Sequence, residues 1–141
     1  MSFDFEIFPA QRLILARYRG GMTLGELRES AERLWSDSRY SMAYDGIVDI
    51  SDEGLNISIE DFRGLVGFLT AEDRTSRGRW AAVASSPLAT AYGLLYQRAL
   101  SPRHSLSVHS TWEAACAALH LNPTPAMEAW AARGAGSAPA V

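Results

Sequence analysis

Hydrophobic and polar positions alternate from the start of the chain. Phe3, Phe5 and Ile7 are set against Asp4 and Glu6, the period-two pattern of a half-exposed strand. After a break at Pro9, residues 11–19 (QRLILARYR) read as a second strand, and the two predict a hairpin. Past Gly20 and Gly21 the period changes. Thr23 and Glu26 have capping-box spacing, and Leu24, Leu27, Ala31, Leu34 and Trp35 recur at helical intervals to about residue 37. Residues 44–51 (YDGIVDIS) are short, β-branched and apolar in the middle, the pattern of a strand covered on both faces and therefore central in its sheet.

Helix and strand patterns then alternate to the end. Ser58 gives a second capping signal, with Ile59, Phe62, Leu65, Val66 and Leu69 on one helix face to about residue 70. Gly64 and Gly67 each weaken that helix by roughly 1 kcal/mol relative to Ala and read as allowing close packing of helix on sheet. Residues 79–85 (RWAAVAS) form a buried strand pattern, followed by Ser86-Pro87, an N-cap with proline at the first helical position. Leu88, Ala91, Tyr92, Leu95 and Ala99 continue at helical spacing. A weaker strand at 105–109 reads as lying near a sheet edge. Ser110 and Glu113 have the spacing of a capping box opening an alanine-rich helix to about residue 120, and Thr124-Pro125 starts a short helix through Trp130. Residues 134–141 (GAGSAPAV) have the composition of a mobile tail.

The predicted class is therefore α/β, in the order β-β-α-β-α-β-α-β-α. Such an order implies a mixed, mostly parallel five-stranded sheet with an antiparallel first strand. Residues 1–121 are expected to form the domain, and 122–141 a short helix and flexible C-terminal tail.

Composition narrows the class of function. With 141 residues, 48% hydrophobic and 21% charged, the chain has room for one globular core. Its basic residues, 13 in number, are all arginine, yet the net charge of −3 argues against non-specific binding to nucleic acid. A lone Cys116 excludes an internal disulfide framework and a zinc site of several thiolates. The opening MSFDFEIFPAQR has neither a long apolar run nor a signal-peptide pattern, so no membrane span is expected and a cytoplasmic location is. Gly20-Gly21 lacks the spacing of a phosphate loop, and His104, His109 and His120 lack metal-ligand spacing, so no cofactor or metal is expected.

Four segments carry a family resemblance: LILARYRGGMTLGEL, GIVDIS, GRWAAVASSPLATAYGLL and SVHSTWEAACAAL. In this order they resemble the STAS domains of anti-sigma-factor antagonists, and more closely the bacterial STAS-like branch related to CRAL-TRIO lipid-binding domains. The resemblance spans about residues 5–120. It implies a non-enzymatic regulatory or protein-interaction module. STAS antagonists carry a regulatory phosphoserine in an Asp-Ser-Ser-Gly motif; here Asn56-Ile57-Ser58-Ile59 stands in that place, and Ser58 is the one match.

In an open α/β sheet, ligands bind beyond the carboxyl ends of the parallel strands. Those ends collect Asp49, Ser51, Asp52, Ser58, Ser85, Ser86, Thr90, His109 and Ser110, and the surface of Asp52, Ser58, Ser86, Thr90 and Tyr92 is the candidate ligand or partner face. A hydrolase triad could be drawn from Ser85 or Ser86, His109 and Asp49 or Asp52, although no Gly-x-Ser-x-Gly elbow is present. Arg74, Arg77 and Arg79 beside Trp80 offer an anion contact at the opposite, amino end of a strand. Tyr92, Tyr96, Phe62, Phe68, Trp35 and Trp80 read either as dense core packing or as the lining of a pocket for a small apolar ligand, with Gly93 allowing close approach of its helix. Exposed Ala- and Leu-rich helix faces would suit a homodimer. The expected partner is thus another protein or a small apolar ligand.

Overall fold

The hairpin opens on a tighter turn than the sequence pattern implies. Pro9–Gln11 form a 3-10 turn, and Arg12 takes the left-handed conformation (φ 53°, ψ 48°) while its amide donates to the Pro9 carbonyl at 3.1 Å. The second strand therefore starts at Leu13 instead of Gln11. The computed structural model describes residues 2–72, 76–100 and 104–136. Within them lie β1 (Ser2–Phe8), β2 (Leu13–Arg19), α1 (Leu24–Ser36), β3 (Asp45–Asp49), α2 (Ile59–Glu72), β4 (Arg79–Val83), α3 (Pro87–Leu100), β5 (Ser105–His109), α4 (Trp112–Ala118) and α5 (Pro125–Gly136).

The five strands lie side by side in chain order, β1-β2-β3-β4-β5, with the first pair antiparallel and every later pair parallel. Both sequence expectations follow: β3 is central and β5 is an edge. Because no crossover reverses direction, the right-handed rule sends all three crossover helices to one face. Leu27 of α1, Phe62 of α2 and Tyr92 of α3 accordingly pack with Ala16 and Val48. Leu13, Leu15, Ile47, Ala81 and Val83 point the other way, onto Ala115, Cys116 and Leu119 of α4 and its end and Met127 and Trp130 of α5. Period-two alternation along β2 thus feeds two separate apolar layers.

Side-chain caps set the helix starts. Thr23 Oγ1 accepts from the Glu26 amide at 3.3 Å, and the Thr23 amide donates to Glu26 Oε1 at 2.9 Å, completing the capping box. Ser58 Oγ accepts from the Asp61 amide at 3.0 Å, and Ser86 Oγ from the Ala89 amide at 3.1 Å. At α4 the pattern slips by one residue. The cap is Thr111, extended at φ −137° with its hydroxyl on the Ala114 amide, and not Ser110. The last helix runs past Trp130 to Gly136, taking in the first residues of the stretch read as tail. Residues 137–141 of that stretch lie outside the described residues.

The two helix glycines have different roles from the one expected. A Cβ at Gly64 would lie 2.7 Å from Leu24 Cδ2, so Gly64 brings α2 onto α1 and not onto the sheet, while Gly67 faces open space.

One charge is buried between strands and α5. Arg17 stands opposite Asp4 in the β1–β2 register, and its Nε lies 3.1 Å from both carboxylate oxygens. Its Nη2 donates to the Trp130 carbonyl at 3.0 Å, and the guanidinium lies 3.6 Å from the centre of the Trp130 ring. Arg17 is 3% exposed and Asp4 53%.

Candidate functional site

Between the sheet and helices α1–α3 is an apolar cavity of about 190 Å³. The register explains it. Ala16, Val48, Ala82 and Val108 stand side by side across β2, β3, β4 and β5, making a row of small side chains under the helices. The neighbouring row is Ile14, Gly46, Trp80 and Leu106. There a Cβ on Gly46 would fall 2.5 Å from the Trp80 ring, so the absent side chain lets the indole lie across the sheet. Short residues form the floor, and Trp80 forms a wall at the amino end of β4.

The helices supply the roof. Leu27, Ala31 and Trp35 come from α1, Phe62 and Leu65 from α2, and Tyr92 and Tyr96 from α3. Phe62 and Tyr92 stack with ring centres 4.9 Å apart and planes at 10°. Gly93 brings α3 down onto β5, since a Cβ there would lie 2.9 Å from Val108 Cγ2. Of the six aromatic residues read as pocket candidates, all but Phe68 line the cavity; Phe68 packs on Trp35 instead.

The polar atoms of the lining fall into two groups. Tyr92 donates to the Ile57 carbonyl at 2.5 Å, and Tyr18 shares a 3.4 Å contact with Ser30, so those phenols are satisfied. Near the amino ends of β4 and β5 stand Ser76, Trp80, Tyr96 and His104. Tyr96 Oη lies 3.1 Å from His104 Nδ1. Burial raises the Tyr96 phenol and pulls His104 down to about 4, so both are neutral near pH 7. Trp80 Nε1 and His104 Nε2 are buried with no hydrogen-bond partner among the described residues.

In the sequence His104 stands out only as one of three histidines without metal-ligand spacing, yet it shares the parity of Leu106 and Val108 of β5, which puts it on the inner face.

The residues proposed at the carboxyl ends are occupied with local structure. Asp52 Oδ2 accepts from the Gly20 amide at 3.0 Å, Ser58 and Ser86 cap helices, and Thr90 donates to the Ser86 carbonyl at 2.9 Å. Tyr92 leaves this surface group, because its ring is turned into the cavity. Nor does a triad assemble. Ser85 donates to the Ser51 carbonyl, His109 pairs with Ser107 at 2.8 Å, and Asp49 accepts from Ser51, so none of these bonds links Ser85 or Ser86 to His109, or His109 to Asp49 or Asp52. A monotonic strand order also has no reversal point, the feature that opens a ligand crevice in doubly wound sheets.

At the amino end, Arg79 is bound to Asp45 at 3.0 Å and to the Leu119 carbonyl at 3.2 Å. Arg77 is exposed, and Arg74 lies outside the described residues. Among the described residues, no group of three or more His, Cys, Asp or Glu could hold a metal ion, and no helix is long and apolar enough to cross a membrane.

No family model and no curated protein matches the sequence. Among solved structures, the chain is similar to an uncharacterised protein of the DUF3478 family with a SpoIIAA-like fold from Shewanella loihica PV-4. The TM-score is 0.59 at 12% identity, over 84% of this chain and 92% of that one. At that identity the likeness speaks for architecture. The mixed sheet with its antiparallel first strand and the helices around it are thus a SpoIIAA-like, STAS-like fold, as the order of elements in the sequence implied.

Proposed function

We propose that this chain is a cytoplasmic, non-enzymatic STAS-like module that takes up a small apolar molecule between its sheet and helices α1–α3, as a sensor or carrier. The observation that carries this reading is the cavity. Apolar voids of about 150 Å³ stay dry and accept benzene-sized molecules, and the space here is about 190 Å³ with a largely hydrocarbon lining. That size suits one aromatic ring with a short substituent and is too small for a phospholipid. The test is thermal unfolding of the whole protein in the presence of alkylbenzenes. A ligand at 100 times its Kd adds about 2.7 kcal/mol of stability, a rise in Tm that grows with the logarithm of ligand concentration above Kd. Ala82→Leu, which fills the floor, should abolish the rise. No rise in the wild type, or an equal rise in Ala82→Leu, would refute the proposal.

A second reading, protein interaction, is favoured by the outer face of α3. Leu88, Leu94 and Leu95 are 52%, 51% and 44% exposed on the helix whose inner face carries Tyr92, Gly93 and Tyr96. One rigid helix then has a ligand-facing side and a partner-facing side, so an occupied cavity would alter what α3 presents. Homodimerisation through this face is the simplest version, and light scattering with and without Leu88→Ser and Leu95→Ser would decide it. Phosphorylation of Ser58 is disfavoured, because Glu60 and Asp61 occupy the same first helical turn and would repel a dianion.

A further inference from the structure

We propose that the cavity has a head-group site, formed by Trp80 and His104, that selects ligands carrying a single uncharged carbonyl oxygen. This rests on the ligand-binding reading above and adds the chemistry of the ligand. Among the described residues, Trp80 Nε1 and His104 Nε2 are buried without partners, on rings whose centres are 6.3 Å apart and nearly perpendicular. An indole N–H can only donate. The role of His104 follows from Tyr96. The phenolic hydrogen has His104 Nδ1 as its acceptor at 3.1 Å, and assigning it there leaves the imidazole proton on Nε2. Two adjacent buried donors then stand unpaired among the described residues, on rings that line the cavity, and a carbonyl oxygen, with two lone pairs, can accept from both.

The charge of the ligand follows as well. No arginine lines the cavity among the described residues, and burial holds His104 neutral. A carboxylate would enter without a counter-ion and lose its hydration, whereas a ketone, aldehyde or ester gives up far less. The row of Ala16, Val48 and Ala82 would receive the hydrocarbon body of such a molecule.

The experiment compares three probes of one shape: acetophenone, 2-phenylpropene and benzoate. Isothermal titration of the full chain should show acetophenone bound at least about tenfold more tightly than 2-phenylpropene, the effect of pairing a buried donor, with benzoate weakest. Trp80→Phe and His104→Phe should erase the preference, each variant binding acetophenone no more tightly than it binds 2-phenylpropene. Should either variant fail to fold, the infrared carbonyl band of bound acetophenone in the wild type decides. A shift to lower frequency than in hexane supports the site, and a band at the hexane position overturns it. Equal affinity for ketone and hydrocarbon overturns the head-group site alone. Binding of neither overturns both the head-group site and the cavity reading.

Discussion

Removing the half-exposed partner of Arg17 should destabilise the fold more than replacing Arg17 itself. The guanidinium is 3% exposed and Asp4 53%, so the desolvation cost falls almost entirely on the cation. Burial pulls Arg17 down from its usual range, and the attraction of Asp4 is the smaller, opposing effect. Asp4→Ala leaves a buried charge with the Trp130 carbonyl and ring and the weaker attraction of Asp49 on β3, and breaking such a pair costs about 3 kcal/mol. Arg17→Met keeps an apolar stem on Trp130. It gives up the hydrogen bonds to the Trp130 carbonyl and to the half-exposed Asp4 and one cation–π contact, about 2.5 kcal/mol together. It also removes the buried cation and an Nη1 that has no partner among the described residues, so the net loss should be about 1 kcal/mol. In the Arg17→Met background, Asp4→Ala should then cost less than about 0.5 kcal/mol, because a solvated surface carboxylate contributes little. Urea unfolding of the four proteins, followed by tryptophan fluorescence at pH 7, closes this double-mutant cycle with a coupling of at least about 2 kcal/mol. Additive losses, or an Asp4→Ala midpoint equal to that of the wild type, would refute the reasoning.

Two further predictions concern stability. His104 titrates at about 4 in the folded chain against 6.5 ordinarily, so the unfolded state takes up the proton first. Its contribution is therefore complete above pH 6.5 and lost as pH falls towards 4, about 2 kcal/mol by pH 5; urea midpoints at pH 7.5 and 5 should differ more for the wild type than for His104→Gln, and equal differences would exclude it. Glycine-to-alanine changes should have opposite signs at two positions. A Cβ at Gly78 would run into the Tyr44 carbonyl, costing roughly 3 kcal/mol. At Gly67 nothing lies within 4 Å, and alanine should gain about 0.8 kcal/mol of helix propensity. Thermal melts of the two variants check both signs.

The order of elements was legible because each is announced locally. Thr23, Ser58 and Ser86 mark helix starts, and the period switches between two and 3.6 at each boundary. Local signals were ambiguous where two capping residues adjoin. Ser110 and Thr111 both fit, and the chain uses Thr111, the one whose hydroxyl meets a third-position amide. The cavity was legible only as an excess of aromatic residues. Its floor depends on Ala16, Val48 and Ala82 falling side by side, and register between strands thirty residues apart leaves no mark in any single segment. Arg17 was hidden for the same reason. Within QRLILARYR it reads as the solvent-facing member of an alternating strand, whereas its cover comes from Trp130, 113 residues later.

That separation bears on how the protein is made. Each strand after the first pairs with the one synthesised just before it, so the sheet can assemble in step with translation, one short crossover at a time. Arg17 emerges in the first hairpin and keeps its hydration while the remaining strands are added. Only when α5 leaves the ribosome does Trp130 close over it, the longest loop closure among these contacts and the act that dries the guanidinium. The nascent sheet thus carries a hydrated cation on its open face until the last helix docks, which keeps that face from presenting an unbroken apolar surface to other unfinished chains.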